Sequence, residues 1–264
     1  MEIISVINQK GGVGKTTTVI NLAAGLSQLK KRILVIDLDP QGNATTGLGL
    51  SNLDNSSDTI YGVLNGSKEI TQVIKKTKFD GLDIITSNVD LSGLEVETAD
   101  DSNRAFILKA KLTSYLNNSG GSYDYVLIDC PPSLSLLTVM ALVSSSSLLV
   151  PLQTEFFALE GLTQLMKTID RIKVNLNPDL KIRGILLTMY DKRNKLSSEV
   201  EKEARDYFNE KVYSTVIPRN VRLSEAPSHG MPVLIYDKSC PGSKSYFNFT
   251  DEFINQELTK ESAA

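Results

Sequence analysis

Asn8-Gln9-Lys10-Gly11-Gly12-Val13-Gly14-Lys15-Thr16-Thr17 lies between an apolar run, Ile3 to Ile7, and a stretch whose apolar residues recur at helical spacing. A glycine-rich turn joining a strand to a helix is the setting of a phosphate-binding loop. Glycines let successive backbone N–H groups turn inward around phosphate oxygens, and the positive end of the helix faces the same point. Lys15 adds a point charge, and Thr16 supplies a hydroxyl for a magnesium ion. Gly11, Gly12, Val13, Gly14, Lys15, Thr16 and Thr17 are therefore the expected nucleotide-binding residues. The general pattern asks for glycine five residues before Gly14, but Gln9 stands there and a second lysine, Lys10, follows. One phosphate edge has no room for two lysines, so Lys10 is expected to point away from its own nucleotide, toward that of a partner subunit.

Outward from the loop, Val19, Leu22, Ala23 and Leu26 mark a helix over 16–29, and Lys30-Lys31-Arg32 suits its C-terminus. Ile33 to Ile36 is a continuous apolar run, the mark of a parallel strand covered on both faces. Strand, helix and strand make a right-handed crossover. Further apolar runs at 82–85, 125–128, 148–152, 182–188 and 212–217 alternate with helical patterns near 104–117, 134–144, 156–176 and 196–209. The predicted fold is α/β: a doubly wound, mostly parallel sheet with helices on both faces, in one domain spanning 1–264. Residues 50–105 are expected to form a peripheral insertion of short helices, and 117–122 and 144–147 are expected to be turns.

Bulk properties narrow the function classes. With 264 residues, 41% apolar and 22% charged, the chain reads as globular, and a net charge of −3 excludes a protein coated in basic charge. No apolar stretch reaches about 18 residues, which points to a cytoplasmic protein. Cys130 and Cys240 have no metal-ligand spacing and are expected to be reduced thiols. The one histidine, His229, is expected in a loop, which leaves no Ser/His/Asp machinery.

Tyr125 to Asp129 is a buried strand ending in an acid, which places a carboxylate beside magnesium at the carboxyl edge of the sheet. Asp129 is the expected metal partner with Thr16. Pro131-Pro132-Ser133 would then sense the terminal phosphate as a unit. Asp37 and Asp39 alternate at the end of the second strand. Asp39 is expected to orient the attacking water, with Asp37 as an alternative metal ligand. Lys10 from a partner would neutralise the transferring oxygens, so the expected catalytic set is Lys10, Lys15 and Asp39.

Together these stretches resemble the deviant Walker A ATPases and, within them, the ParA/Soj family of chromosome and plasmid partition proteins. Asn8 to Thr17 resembles that family's loop with its extra lysine, Asp37-Leu38-Asp39-Pro40-Gln41-Gly42-Asn43 its first switch, and Asp129-Cys130-Pro131-Pro132-Ser133 its second. Ile217 to Gly230 resembles its C-terminal motif. By that resemblance Pro218 and Asn220, with Met189, are adenine-side residues. The resemblance implies ATP and Mg2+ as cofactors and an ATP-bound homodimer that binds double-stranded DNA without sequence preference. It also implies a ParB/Spo0J-like partner that stimulates slow hydrolysis, and location on the nucleoid.

The sequence agrees in part. Residues 181–244 hold twelve Lys and Arg against eight Asp and Glu, a local excess in an acidic chain. Arg193 and Arg219 sit where the family's DNA-contacting arginines are expected. Lys192, Lys195, Arg222 and Lys244 join them on charge alone. One departure is Asp237 to Lys244, which lacks the arginine common there.

Two other readings compete, a MinD-like spatial regulator and a nucleotide-switched transcriptional regulator. The tail opposes membrane attachment, because Asp251, Glu252, Glu257 and Glu261 accompany Phe247, Phe249, Phe253, Ile254 and Leu258. The apolar residues are expected to dock this helix on the core.

Overall fold

The computed structural model describes residues 1–50, 58–119 and 123–261, without the side chains of Ser119 and 257–261. Of the turn expected at 117–122, residues 117–119 are helical and 120–122 lie outside the described residues, as does the side chain of Leu258. In chain order the elements are β1 (Glu2–Val6), α1 (Lys15–Gln28), β2 (Ile33–Asp37), α2 (Asn43–Gly47), α3 (Ile60–Leu64), α4 (Ile70–Val73), β3 (Ile74–Lys76) and β4 (Leu82–Ile85). They continue with α5 (Leu94–Glu97), α6 (Ile107–Ser119), β5 (Tyr125–Asp129), α7 (Leu136–Ser144), β6 (Ser147–Gln153), α8 (Ala158–Asn175), β7 (Lys181–Thr188) and α9 (Lys195–Phe208). The C-terminal part adds α10 (Val221–Glu225), α11 (Val233–Tyr236) and α12 (Pro241–Glu261).

The seven strands run β3-β4-β2-β5-β1-β6-β7, parallel throughout except for β3, which pairs antiparallel with β4. Strands β2 and β5 are buried along their whole length, as their unbroken apolar runs demand. Their register sets Asp37 opposite Asp129, and Val6 of β1 faces Asp129 from the other side. The carboxyl ends of β1, β2 and β5 thus converge where the phosphate loop leaves β1, at the sheet edge where such folds bind ligands.

One face of the sheet packs under α6, α7 and α8, and the other under α1, α11 and α12. Helix α12 docks as expected: Tyr246, Phe249 and Phe253 are fully buried, and each contributes about 1.5–3 kcal/mol by leaving water. It lies so close to α1 that a Cβ on Gly25 would stand 2.3 Å from the Thr250 hydroxyl oxygen. Arg183 of β7 ties α12 to the sheet, donating to the Phe253 carbonyl at 3.0 Å and pairing with Glu2 of β1 at 3.3 Å. Among the described residues, no helix is long and apolar enough to cross a membrane.

Two expectations fail. Val212–Ile217 is extended but is not a strand. It makes only an isolated bridge to β7 at Ile185–Val212, with a second beyond it at Tyr190–Pro218. Its Tyr213 and Ile217 N–H groups donate to the Ile185 and Leu187 carbonyls of β7 at 3.0 and 2.8 Å, but between them side chains interrupt the ladder: Glu252 accepts the N–H groups of Ser214 and Thr215 at 2.6 and 2.8 Å, and Arg205 donates to the carbonyls of Tyr213 and Ser214. The segment 50–105 is not merely peripheral, since its described part supplies β3 and β4 to the sheet. Ile60, Val63, Ile70, Val73, Leu91 and Leu94 from it enter the core. His229 sits in a short 3-10 turn, Ala226–His229, with its ring stacked on Tyr236 at 4.9 Å.

Candidate nucleotide site

The loop after β1 is shaped by its glycines and braced from both flanks. Gly12 and Gly14 adopt φ of +74° and +91°, backbone that side-chain-bearing residues rarely take. Asn8 donates to the Pro151 carbonyl at 2.7 Å and accepts the Lys10 N–H at 3.0 Å, fastening the loop to β6. Thr188, at the end of β7, donates to the Val13 carbonyl at 2.8 Å. Val13 is therefore a buried anchor, and Gly11, Gly12, Gly14, Lys15, Thr16 and Thr17 line the open side.

That open side is a cavity of about 480 Å³, closed opposite the loop by Asp39, Gln41, Asn43 and Pro132. Lys15 is 6% exposed and donates to the Lys10 carbonyl at 3.1 Å. Burial pulls its pKa below the usual lysine value, and Asp129, Cys130 and Asp39 partly restore it.

The three carboxylates divide their work. Asp37 is fully buried and absent from the cavity wall. Its Oδ2 accepts both the N–H and the hydroxyl of Thr45 at 2.7 Å, and Oδ1 accepts the Asp39 N–H at 3.2 Å. Burial raises its pKa to about 6 against those bonds. Asp37 thus braces α2, and the arrangement does not favour it as a metal ligand. Asp39 faces the cavity and accepts the Gln41 N–H at 3.0 Å. Asp129 is fully buried, and neither of its oxygens has a partner of hydrogen-bond geometry. Burial first, and Asp37 second, push its carboxyl well above the ordinary range, while the nearby Thr16 hydroxyl and Lys15 temper the rise. An unpartnered carboxylate beside a threonine hydroxyl under a phosphate loop fits a divalent cation, which favours oxygen ligands and supplies the missing positive charge.

The second lysine stands apart from the first. Lys10 lies off the cavity wall, and its ammonium is ion-paired with Glu155 in the loop after β6. Glu155 was not anticipated, since nothing in its own sequence neighbourhood marks it.

A second cavity of about 190 Å³ adjoins the first through Gly14, Thr17 and Met189. Pro218 and Asn220 line it, along with Ile217, Leu223 and Tyr246. Met189 holds a positive φ of 52°, a departure from ordinary backbone at the junction of the two cavities. Asn220 caps α10 by accepting the Arg222 N–H through its side-chain oxygen. Thr17, Pro227 and Ser228 also line these cavities. The turn carrying Pro227 abuts α2 and the residues just after it: a Cβ on Gly230 would stand 2.6 Å from the Gly49 Cα, and both glycines have positive φ.

Comparison with known proteins gives this site its family. The chain is 50% identical over all of its length, and 98% of the relative's, to the chromosome partitioning protein ParA of Caulobacter vibrioides. It belongs to the ParA/Soj family of partitioning ATPases. Soj of Bacillus subtilis, a sporulation initiation inhibitor protein, is 47% identical across 95% of this chain and 97% of its own. The AAA domain family matches residues 1–182. Among solved structures, cobyrinic acid a,c-diamide synthase from Mycobacterium smegmatis, with a bound ATP analog and magnesium, superposes with a TM-score of 0.80. It is 34% identical over 95% of this chain and 93% of its own.

The basic residues singled out for this ParA/Soj chain divide into two groups. Arg193 is held by Asp191 through a two-pronged pair at 3.0 and 3.1 Å, although its side chain is 90% exposed. Lys195 pairs with Glu199 at 3.4 Å, and Arg222 with Glu225 at 2.7 Å and Asp237 at 3.4 Å. Arg219 and Lys244 are exposed, and Arg219 also lines the base-side cavity. Cys130 and Cys240 are buried free thiols, and burial pushes the Cys130 thiol up.

Proposed function

We propose that this chain is an ATPase that moves DNA by switching between ATP-bound and ATP-free forms, with ATP and Mg2+ as its cofactors. The observation that carries the reading is the buried, unpartnered Asp129 beside Thr16, under a cavity with Lys15 on one wall and Asp39 on the other. Thr16 and Asp129 would hold the magnesium ion, which when bound offsets charge on the phosphate oxygens. Lys15 and the loop N–H groups orient the phosphates. Asp39 holds a water at the cavity mouth, accepting a hydrogen bond that aims the water's lone pair at the terminal phosphate. Met189, Pro218 and Asn220 enclose the base.

In this reading 1–264 act as one ATPase domain, with 181–257 forming its base-side and DNA-facing part. Two ATP-loaded copies associate, and Lys10 leaves Glu155 to neutralise the partner's transferring oxygens. Arg193, Arg219, Arg222, Lys195 and Lys244 then bind double-stranded DNA through its phosphates, without reading bases. Turnover is slow until a ParB-like partner places Lys10 fully.

The test is a gel shift or co-sedimentation of wild type and Asp39→Ala on unrelated duplexes, with ATP, with ADP and without nucleotide, across a salt series. The reading expects binding with ATP only, equal on all duplexes, weakening steeply with salt and persisting in Asp39→Ala. Equal binding in all nucleotide states, or none in any, rejects the DNA part and leaves the ATPase standing.

A further inference from the structure

Phe156 and Phe157 are the most exposed aromatic pair among the described residues, at 73% and 66%, with rings packed edge to face at 5.0 Å and 84°. An aromatic ring carries on the order of 150–250 Å² of coverable surface, so two adjacent exposed rings in water are a feature to be accounted for. They follow directly on Glu155, the residue that holds Lys10 at the rim of the phosphate loop.

We propose that Phe156 and Phe157 form the apolar part of the surface that a second copy of this chain covers when both copies carry nucleotide. The inference rests on the ATP-dependent dimer proposed above and names residues that hold it. Three observations select a second copy. Held by Glu155, Lys10 lies off its own cavity and is placed to meet a phosphate brought by another copy closing over this rim, and the loop bearing both rings is the loop that grips Lys10. A patch crossed by a two-fold axis meets itself, and aromatic rings are self-complementary because the edge of one suits the face of another. The charges beside the rings, Lys10 and Glu155, cancel within each copy. Until Lys10 leaves Glu155, this pair offers DNA no free cation and gives two approaching copies no net charge to repel.

Two variants test this on the full chain, with a non-hydrolysable ATP analogue as the ligand. Phe156→Ser combined with Phe157→Ser, read by light scattering, is expected to weaken the dimer by at least about tenfold. Analogue affinity, measured by fluorescence titration, should stay at the wild-type value. Phe156→Cys, in a chain whose own cysteines are buried, is expected to cross-link copy to copy under oxidation with the analogue and not with ADP. If wild type dimerises and both variants behave otherwise, with the double variant pairing normally and Phe156→Cys not cross-linking, the inference is overturned and the dimer reading survives. If wild type itself stays monomeric with the analogue, the dimer reading fails and takes the inference with it.

Discussion

The ammonium of Lys10 and the carboxylate of Glu155 are ion-paired at the rim of the phosphate loop, and this pairing keeps Lys10 out of its own chain's cavity. Any action of Lys10 elsewhere must first break the pair. Glu155→Gln is therefore expected to raise the fraction of ATP-dependent dimer at a given concentration, and Lys10→Ala to abolish it while ATP affinity is kept. Sedimentation velocity with a nucleotide titration on the same samples checks both.

Asp39 faces the cavity, whereas Asp37 is turned to Thr45. Asp39→Ala is expected to lower phosphate release on the order of 10²-fold, since it removes the group that aims the water. Nucleotide binding should persist. Equal turnover in wild type and variant would transfer the role to another residue.

Thr45 gives Asp37 two hydrogen bonds and accepts a third from the Ser87 N–H at 3.0 Å. Thr45→Val keeps the side chain's shape and leaves a buried carboxylate short of a donor, a loss of about 1–3 kcal/mol. A lower thermal midpoint of the nucleotide-free protein measures it.

Asp191 occupies the fork of Arg193, whose hydrogen bonds hold the Asp191 carboxyl down at about 2. A depressed carboxyl keeps its ion pair above the ordinary carboxylate range and loses it only as pH falls through about 2. DNA affinity should therefore show no pH dependence from this pair over roughly pH 5 to 8. Asp191→Asn releases the guanidinium and is expected to tighten DNA binding and to steepen the log–log salt slope by about 0.9. Arg193→Ala should shift both the other way, and gel shifts across a salt series read the slope.

Gly25 lets α1 and α12 approach within the reach of a single methyl group. Gly25→Ala forces that methyl onto Thr250 and is expected to cost about 1–3 kcal/mol, visible as a lower denaturant midpoint. Gly161, whose Cβ would meet open space, is the matched control, because its change to alanine adds no clash.

Most of the parallel sheet was legible because buried parallel strands write themselves as unbroken apolar runs, as in Ile33–Asp37 and Tyr125–Asp129. The same signal misled at 212–217. Periodicity reports which residues are apolar, but not that the side chains of Arg205 and Glu252 take backbone groups in the middle of the run and leave only two N–H bonds to β7. Strand β3 escaped notice because three residues are too few to carry a pattern. In the site, glycine spacing marked the phosphate loop, and the strand-ending acids marked Asp37, Asp39 and Asp129. Which of these would face the cavity depended on the Thr45 contacts, and Glu155 reaches Lys10 only through the fold.

Gly49 and Gly230 meet with no space between them for even one carbon. Two segments remote in the sequence thus share a single vacancy, and the pair behaves as one unit of inheritance. A chimera joining residues 1–180 of this chain to the C-terminal part of a relative would close properly only if that relative brings a residue without a side chain to the position of Gly230. A graft that ignores this would wedge the end of α2 away from the turn carrying Pro227, however well its nucleotide residues match.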